Sequence, residues 1–454
     1  MSSPPRVHAE QPERTLAAFV ADLTFDDVPP DAVETIERAF VDTVGVTLAG
    51  VRADAGVRAA SVATSLTPTA DGVSVLGTGE TASLTDATLA NGTAGHALDF
   101  DDLSWAMDGH PSVPLVAPIL ALAEHLDSSG EDVITAFAAG FETECYVAEP
   151  VSPTHYERGW HPTATFGTFG ATAAAATLLD LDVGETQVAL GIAASMPSGL
   201  KRNFGTMTKP LHAGLAGRSG ITAALLAAEG FTAEETAISG PRGFWDLYAD
   251  GAERRADPPG DPWRLVETGI SIKAYPCCYF THTSIAAVET LVEAHSISHE
   301  DIDRIEVVTS RGAGDALVYP EPKSGLEGKF SMEYAVACAA TRDRVDLDAF
   351  TDDALDDAAV QRVRALVSFE VDESLPYKSN RTNVRLTTTD GTTVEETQSI
   401  PPGTPETPLS EAELRAKFVD CATRSVSTSV AETTFERLLS LRDEESVRDV
   451  LAPL

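Results

Sequence analysis

Apolar segments rich in alanine and glycine, with helical spacing, follow one another up to about residue 265. Residues 30–50 are typical, because Asp31 can cap a helix, apolar residues recur every three or four positions, and Gly50 ends the pattern. Several later segments are small and apolar on every side, so their helices must be buried against one another. This part of the chain is predicted to form a bundle of closely packed helices.

The pattern changes after a turn-rich stretch, ADPPGDPW, at residues 256–263. Residues 303–310 alternate between polar and apolar, as half-buried strands do. Residues 383–398 form two strand-like runs around Asp390 and Gly391, a dipeptide that favours a hairpin. This second part of the chain is predicted to be α+β.

Helical spacing returns after the proline-rich linker at 401–408. The simplest arrangement is a mainly α fold in which a smaller α+β lid domain is inserted into a large all-helical domain. Residues 1–270 are expected to form the first part of the helical domain and residues 271–409 the lid. Residues 410–454 are expected to rejoin the helical domain.

The chain is strongly acidic, with 70 acidic and 32 basic residues and a formal net charge of −38. Such a field repels nucleic acid and anionic membranes, so neither is expected as a partner. An acidic tail that binds basic partners would have its acidic residues in one block. The acidic residues of this chain are instead spread over its whole length. The composition therefore favours a solvated surface adapted to high salt, and a halophilic source.

Salt is expected to stabilise this protein. Self-repulsion of the negative charges is strongest at low ionic strength, because little screening is available there. The melting temperature should therefore rise substantially as KCl increases from tens of millimolar to molar concentrations. A melting temperature that stays flat over this range would contradict the interpretation of the acidic surface.

The cellular compartment is inferred from three observations on the sequence. No apolar run approaches the roughly 18 residues that a membrane span requires. The first residues lack the basic region and apolar core of a signal peptide. The five cysteines form no regular framework, which fits reduced thiols better than disulfides. A cytoplasmic location is therefore expected.

Lysine is scarce, and none occurs before position 201. A high-salt surface sheds lysine, so the remaining lysines are predicted to be enriched at internal or functional positions. Lys417, in the C-terminal helical pattern, is expected to be an ordinary surface residue. The chain contains seven lysines, at positions 201, 209, 273, 323, 329, 378 and 417.

Four polar clusters interrupt the apolar segments. The first, HALDFDDLSWAMDGHPS at 96–112, contains several aspartates and His110. It could be a helix end with surface acids, or the wall of a pocket in which a carboxylate tunes an imidazole. No calcium-loop or His-Glu-x-x-His pattern is present, so a metal site is not expected.

The second cluster, RGWHPTATFGTFG at 158–170, places His161 at the start of an apolar helix, where the helix dipole favours a carboxylate ligand.

The third cluster concentrates cations in an otherwise acidic chain. It spans 201–220 and includes Lys201, Arg202, Lys209 and His212. The helix that follows is apolar, so part of this group is expected to face inward. Buried cations require partners, which a small polyanionic substrate would supply.

The fourth cluster, IKAYPCCYFTHT at 272–283, contains Lys273, Cys277, Cys278 and His282. Zinc and iron–sulfur sites usually separate paired cysteines by two or more residues, and the chain has no Cys-x-x-Cys. Buried thiols beside a functional lysine and histidine are expected here, without a metal.

These stretches together resemble the MmgE/PrpD family. The resemblance extends over nearly the whole chain and rests on DFDD followed by GHPS, then GWHPTATFGTFG, NFGTMTKPLHAG, KAYPCCYFTH and KFSMEY. It implies a helical domain interrupted by an α+β lid, a homodimer, an active site between the domains, a small di- or tricarboxylate substrate, and no cofactor. The acid–base groups that it implies are Asp99, His110, His161, Lys209, Lys273 and Tyr334. Lys201, Arg202, His212, Cys278 and His282 are expected to help bind the substrate.

The family is known for 2-methylcitrate dehydration, cis-aconitate decarboxylation and iminodisuccinate epimerisation. Each reaction makes or quenches a carbanion or enediolate next to a carboxylate, which requires cations and an acid–base pair. Leu103 and Cys278 replace a threonine and a histidine of decarboxylases, which counts against decarboxylation. The resemblance therefore favours a 2-methylcitrate dehydratase-like hydro-lyase. Epimerase, decarboxylase and, more remotely, a non-catalytic carboxylate-binding protein remain alternatives.

Overall fold

The computed structural model describes residues 12–66, 72–249 and 256–454 of the 454-residue chain. Their contacts divide the chain into two compact units. The first unit runs to Ala97 and continues with Asp101–Ile270 and Glu411–Leu454, and the second comprises Leu98–Phe100 and Ser271–Ser410. The assignment of Leu98–Phe100 to the second unit was not foreseen from the sequence. The predicted fold class, mainly α with a small α+β part, is confirmed.

Helices dominate the first unit. Its helices are α1 (Pro12–Asp22), α2 (Pro30–Gly50), α3 (Asp54–Leu66), α4 (Leu84–His96), α5 (Ser112–Leu126), α6 (Gly130–Ala148), α7 (Thr154–Glu157), α8 (Pro162–Leu178), α9 (Val183–Ala193), α10 (Thr208–Ala228), α11 (Phe244–Tyr248) and α12 (Arg264–Glu267). A short antiparallel hairpin pairs β1 (Val73–Val75) with β2 (Glu80–Ala82).

Helix α10 packs tightly against both α4 and α8 in the core of the first unit. A Cβ atom on Gly92 of α4 would lie 2.8 Å from the Cα atom of Gly214 in α10. A Cβ atom on Gly220 of α10 would lie 2.4 Å from the Cβ atom of Ala171 in α8. Glycine is therefore required at these crossings, because the backbones approach too closely for a larger residue. The close packing brings the C-terminus of α4 near the N-termini of α8 and α10.

Three C-terminal helices also belong to the first unit. They are α19 (Glu411–Ala422), α20 (Thr428–Leu439) and α21 (Val447–Leu451). Lys417 of α19 is only 8% exposed, and its Nζ atom lies 2.5 Å from Asp42 Oδ1 in α2. The expectation that Lys417 is a surface residue is therefore wrong, because a buried carboxylate holds its ammonium group.

The wider prediction about lysine is confirmed. Four of the seven lysines are buried, with less than a tenth of their surface exposed, although lysine is almost never buried without a partner. These four are Lys209, Lys273, Lys329 and Lys417.

The second unit combines a sheet with short helices. Its four strands are β3 (Ile302–Thr309), β4 (Val367–Val371), β5 (Thr382–Thr388) and β6 (Thr393–Gln398), in the order β4-β3-β5-β6. Strands β3 and β4 are parallel, and the other neighbours are antiparallel. The predicted hairpin is confirmed, because β5 and β6 pair around Asp390 and Gly391, and Gly391 has a φ of +88°.

The helices of the second unit include α13 (His282–His295), α14 (Arg311–Ala316), α15 (Gly325–Gly328), α16 (Met332–Thr341), α17 (Asp352–Leu355) and α18 (Ala358–Arg364). Apolar side chains of α13 and α16 form one buried cluster with Ile305 and Val307 of β3 and Val384 of β5. None of the described helices combines the length and hydropathy needed to cross a bilayer.

Candidate active site

Four histidines, His96, His110, His161 and His212, lie together in the first unit and are called the histidine cluster below. His96 ends α4, His110 precedes α5, His161 caps α8, and His212 lies near the start of α10. The ring centroids are 4.6 Å apart for His96 and His110, 5.6 Å for His96 and His161, and 5.3 Å for His161 and His212. The close packing of α4, α8 and α10 therefore assembles the cluster from distant parts of the sequence.

Asp101 joins two of these histidines. Its Oδ2 atom lies 2.7 Å from His96 Nδ1 and 3.2 Å from His110 Nδ1, and its side chain is fully buried. Burial alone would raise the pKa of Asp101, but the two histidines hold that pKa well below its usual range. Asp101 is therefore an anion that orients both imidazoles.

The hydrogen bonds of His110 determine which of its nitrogen atoms carries a proton. Its Nδ1 atom lies 2.8 Å from the backbone oxygen of Asp102, and a carbonyl oxygen can only accept a hydrogen bond. Nδ1 therefore carries the hydrogen, and in the neutral ring Nε2 carries the lone pair. An imidazole held in this way by a buried carboxylate is suited to act as a general base at Nε2.

Asp102 has a different role from Asp101, although both side chains are fully buried. Its Oδ2 atom accepts from Ser112 Oγ at 2.5 Å, and its Oδ1 atom accepts from the Ser112 backbone nitrogen at 3.3 Å. Burial and the nearby Asp42 raise the pKa of Asp102 well above its usual range. Asp102 is therefore a structural group at the start of α5.

His161 and His212 form the other pair of the cluster. Their Nδ1 atoms are 3.0 Å apart, and the two residues are 2% and 5% exposed. Burial, together with His96 and Lys209, holds the pKa of His161 well below its usual value. Burial and Lys209 lower the pKa of His212 to about 4. Both rings are therefore neutral near pH 7.

Three members of the cluster, His96, His161 and His212, are expected to remain neutral at pH 5 in the folded protein. Burial lowers the pKa of His96 to about 4 against the opposing effect of Asp101, and it lowers the pKa of the other two as described. ¹⁵N NMR of histidine-labelled protein between pH 8 and 5 measures this directly. A midpoint above pH 6 for any of the three would contradict the described environment.

Lys209 supplies the positive charge of this region. It lies in the first turn of α10, is 5% exposed, and depresses the pKa of His96, His161 and His212. The N-termini of α8 and α10 add the positive ends of two helix dipoles. A buried ammonium group among neutral imidazoles is an environment that favours a carboxylate.

The two other cations that were predicted to bind the substrate, Lys201 and Arg202, are not buried in the histidine cluster as Lys209 is. The Nζ atom of Lys201 donates to the Tyr156 carbonyl at 3.3 Å and lies 3.4 Å from the centre of the Tyr156 ring. Arg202 is exposed. These positions favour a structural role for Lys201 and a surface role for Arg202.

In the second unit, two buried lysines hold the segment Leu98–Phe100. Lys273 Nζ donates to the Asp99 carbonyl at 2.7 Å and to Asp99 Oδ1 at 3.1 Å. Lys329 Nζ donates to the carbonyls of Leu98 at 2.5 Å and Pro276 at 2.7 Å. The left-handed backbone of Asp99, with a φ of +52°, presents its carbonyl and carboxylate to the same lysine.

The predicted catalytic residues Asp99 and Lys273 are thus an ion pair, with Asp99 3% exposed and Lys273 1% exposed. Asp99 was expected to orient a catalytic base, and within its unit it instead binds the ammonium group of Lys273. That Lys209 and Lys273 serve one substrate stays a prediction.

Cys278 and His282 flank the short 3-10 helix Tyr279–Thr281 in the second unit. The backbone nitrogen of Cys278 donates to the Lys329 carbonyl at 2.9 Å. His282 is fully buried, with its ring 5.2 Å from that of Tyr275 and 4.8 Å from that of Tyr279. Burial raises the pKa of the adjacent Cys277 thiol to about 12, so this thiol is not a nucleophile near neutral pH.

Tyr334 was predicted to transfer protons. It is fully buried among apolar side chains of the second unit, and its hydroxyl donates to the Ala349 carbonyl at 2.6 Å. Burial raises the pKa of this hydroxyl far above its usual value. The geometry therefore favours a structural role for Tyr334, because its proton is already bonded and the phenolate is disfavoured.

Sequence reasoning did not select His96, Asp101 or Lys329. His96 and Asp101 are five residues apart and flank the left-handed Asp99, so the turn folds one back onto the other. A histidine at the end of a helix, followed by a short acidic turn, is the signal that could have identified this pair. Lys329 is flanked by glycine and phenylalanine and gave no such signal.

A metal is the other ligand that such a cluster could hold. One donor atom each from His96, Asp101 and His110 lies within 4.8 Å of the others. However, Nδ1 of His110 carries a hydrogen that points to oxygen atoms, and Nδ1 of His96 is bonded to the Asp101 carboxylate. Only the Nε2 atoms of these two histidines would therefore be available to a metal ion.

Comparison with known proteins shows the family of the chain. Residues 14–257 match the MmgE/PrpD N-terminal domain, and residues 275–441 match the MmgE/PrpD C-terminal domain. The cis-aconitate decarboxylase of Mus musculus is 30% identical over 79% of this chain and 76% of its own length. The cis-aconitate decarboxylase-like protein oryM of Aspergillus oryzae is 27% identical over 96% of both chains. The chain therefore belongs to the MmgE/PrpD family.

Proposed function

We propose that this protein is a metal-independent lyase that acts on a small polycarboxylate by acid–base catalysis. Dehydration of a 2-methylcitrate-like hydroxy acid is the first candidate reaction. The observation that supports it is the presence of two imidazoles with separate partners in one cluster, His110 on Asp101 and His161 on His212. Dehydration needs one group to remove a proton from carbon and another to protonate the departing hydroxyl.

The residues of the first unit can be given roles in this chemistry. His110 accepts the proton at Nε2, and Asp101 stabilises the imidazolium that forms. His161, held neutral by burial, donates a proton to the leaving oxygen from Nε2. Lys209 stabilises the negative charge that develops on the carboxylate as the enediolate forms. Each role uses a group that the structure places in the histidine cluster or in electrostatic reach of it.

Decarboxylation of cis-aconitate is the second candidate, because similar proteins from Mus musculus, Homo sapiens and Aspergillus terreus carry that activity in their names. It needs only one proton donor for the carbanion that remains. Leu103, 6% exposed, stands where animal decarboxylases have threonine, and the half-buried Cys278 stands where they have histidine. Leucine has no hydrogen-bonding side chain, and a thiol bonds only weakly, so both replacements favour dehydration over decarboxylation.

The proposal is tested by incubating the purified protein in molar KCl with 2-methylcitrate, citrate, cis-aconitate and iminodisuccinate. NMR follows the products, with and without EDTA. Loss of water from 2-methylcitrate or citrate, unaffected by EDTA, is the expected result. Loss of carbon dioxide from cis-aconitate, or epimerisation of iminodisuccinate, would replace the first candidate. Binding without turnover of any compound would contradict the enzyme and favour a carboxylate-binding protein.

A further inference from the structure

We infer that His212 is a positioning residue that sets the tautomer of His161 and accepts its Nδ1 proton during turnover. The inference deepens the proposed function, on which its catalytic part rests. It starts from the 3.0 Å separation of the two Nδ1 atoms. Two ring nitrogens form a hydrogen bond only when one carries a hydrogen and the other a lone pair. The neutral rings must therefore be opposite tautomers.

The two possible arrangements give His161 opposite chemical roles. When Nδ1 of His161 carries the hydrogen, its Nε2 has the lone pair and acts as a base. When Nδ1 of His212 carries the hydrogen, His161 has its hydrogen on Nε2 and acts as an acid. Conversion between the two arrangements moves one proton across the 3.0 Å bond, adds one proton at Nε2 of His161 and removes one from Nε2 of His212.

The surroundings hold this pair in place. The backbone nitrogen of His161 donates to the Gly199 carbonyl at 3.1 Å, and the Phe204 ring meets the His161 ring edge-on at 5.0 Å. A Cβ atom on Gly199 would lie 3.4 Å from Cγ and Nδ1 of His212 and 2.7 Å from Cβ of Ala164. The residue has a φ of +119°, so glycine lets the backbone lie against the His212 ring.

The proton balance of the relay is closed. When Nε2 of His161 takes a proton from water in the reverse, hydrating direction, the electron pair of the broken O–H bond forms the new C–O bond of the substrate. The hydrogen on Nδ1 of His161 then passes to Nδ1 of His212, which becomes an imidazolium. His161 is left neutral with its proton on Nε2, ready to donate, and the return of the Nδ1 proton restores the first state.

The charges around the pair decide where the proton rests. Lys209, His96 and His110 each lower the pKa of His161, because each disfavours a positive charge on that ring. The pKa of His212 is lowered by Lys209. Burial and these neighbours hold the pKa of His161 well below its usual value, and the pKa of His212 is about 4. His212 is therefore the better of the two sites for the transferred proton.

The tautomers can be measured without a substrate. In ¹⁵N-histidine-labelled wild-type protein at pH 7, we expect one protonated and one unprotonated Nδ1 with a direct coupling across the hydrogen bond. The coupling should vanish in His212→Asn. Two rings that both carry their hydrogen on Nε2, without coupling, would overturn the inference. This result is independent of which polycarboxylate reacts, so it separates failure of the inference from failure of the proposed function.

The relay is tested on the substrate identified by the product assay. His212→Asn keeps a side chain that can bond to Nδ1 of His161 but cannot take up its proton. It should lower kcat by about a hundredfold, within the range for general acid–base groups, with KM changed less than about threefold. The matched control is His125→Asn at an exposed position, with melting temperatures to check folding. A kcat of His212→Asn within about threefold of wild type would overturn the relay.

Discussion

Replacement of Lys209 by methionine is expected to lower kcat by about a hundredfold to a thousandfold. Methionine keeps most of the side-chain volume and removes the charge, so the fold should change little. The loss follows because Lys209 is a buried cation in the first turn of α10 and influences three histidines of the cluster. Without it, the negative charge of the enediolate loses its electrostatic partner.

A second readout belongs to the same variant. Because Lys209 lowers the pKa of His96, His161 and His212, its removal should raise all three in the folded protein. NMR titration of labelled histidines measures this change independently of turnover. A variant with lowered activity and unchanged histidine pKa values would show that Lys209 acts elsewhere.

The control for Lys209→Met must be a lysine on the surface. Lys417 is unsuitable, because its ammonium group is buried against Asp42 and its removal would leave that carboxylate without a counter-charge. Lys323 is exposed, so Lys323→Met should retain wild-type kcat and melting temperature. If Lys209→Met and Lys323→Met have equal activity, Lys209 has a structural role only.

Asp101→Asn is expected to be still more damaging, with a loss in kcat on the order of a thousandfold or more. The carboxylate of Asp101 accepts from both His96 and His110, and an amide cannot stabilise the His110 imidazolium in the same way. The amide can also present its NH₂ group to a ring nitrogen, which selects the wrong tautomer.

The adjacent Asp102 provides a closely matched control. The pKa of Asp102 is raised by burial, whereas that of Asp101 is lowered by its histidines. An asparagine at 102 therefore resembles the protonated acid and can keep both bonds to Ser112. Asp102→Asn should retain kcat within about tenfold of wild type. Equal losses in the two variants would contradict the distinct roles assigned to these neighbours.

The fold class could be predicted because all-round apolar helices have to be buried and because a hairpin dipeptide marks its turn locally. His161 was selected at a predicted helix start, and Lys209 and His212 were selected within a cationic cluster of an acidic, lysine-poor chain, with the family resemblance supporting all three. Those signals are local in the sequence, and the structure brings these three residues into one electrostatic environment.

The remaining features depend on contacts that no local pattern reveals. The pairing of His96 with Asp101 requires the left-handed turn at Asp99. The burial of Lys417 depends on Asp42, which is far away in the sequence. The helical pattern around Tyr334 gives no information about the carbonyl that its hydroxyl meets.

The central claim is that the histidine cluster moves protons at carbon next to a carboxylate. Incorporation of solvent deuterium tests it most directly, because decarboxylation and epimerisation add a solvent proton at such a carbon and reversible dehydration returns one to it. In D₂O with molar KCl, wild-type protein should introduce deuterium next to a carboxylate of at least one of the four acids. The rate should fall at least about a hundredfold in Asp101→Asn and stay near wild type in Asp102→Asn. Absence of deuterium from all four acids, or equal exchange in wild type and Asp101→Asn, would contradict the claim.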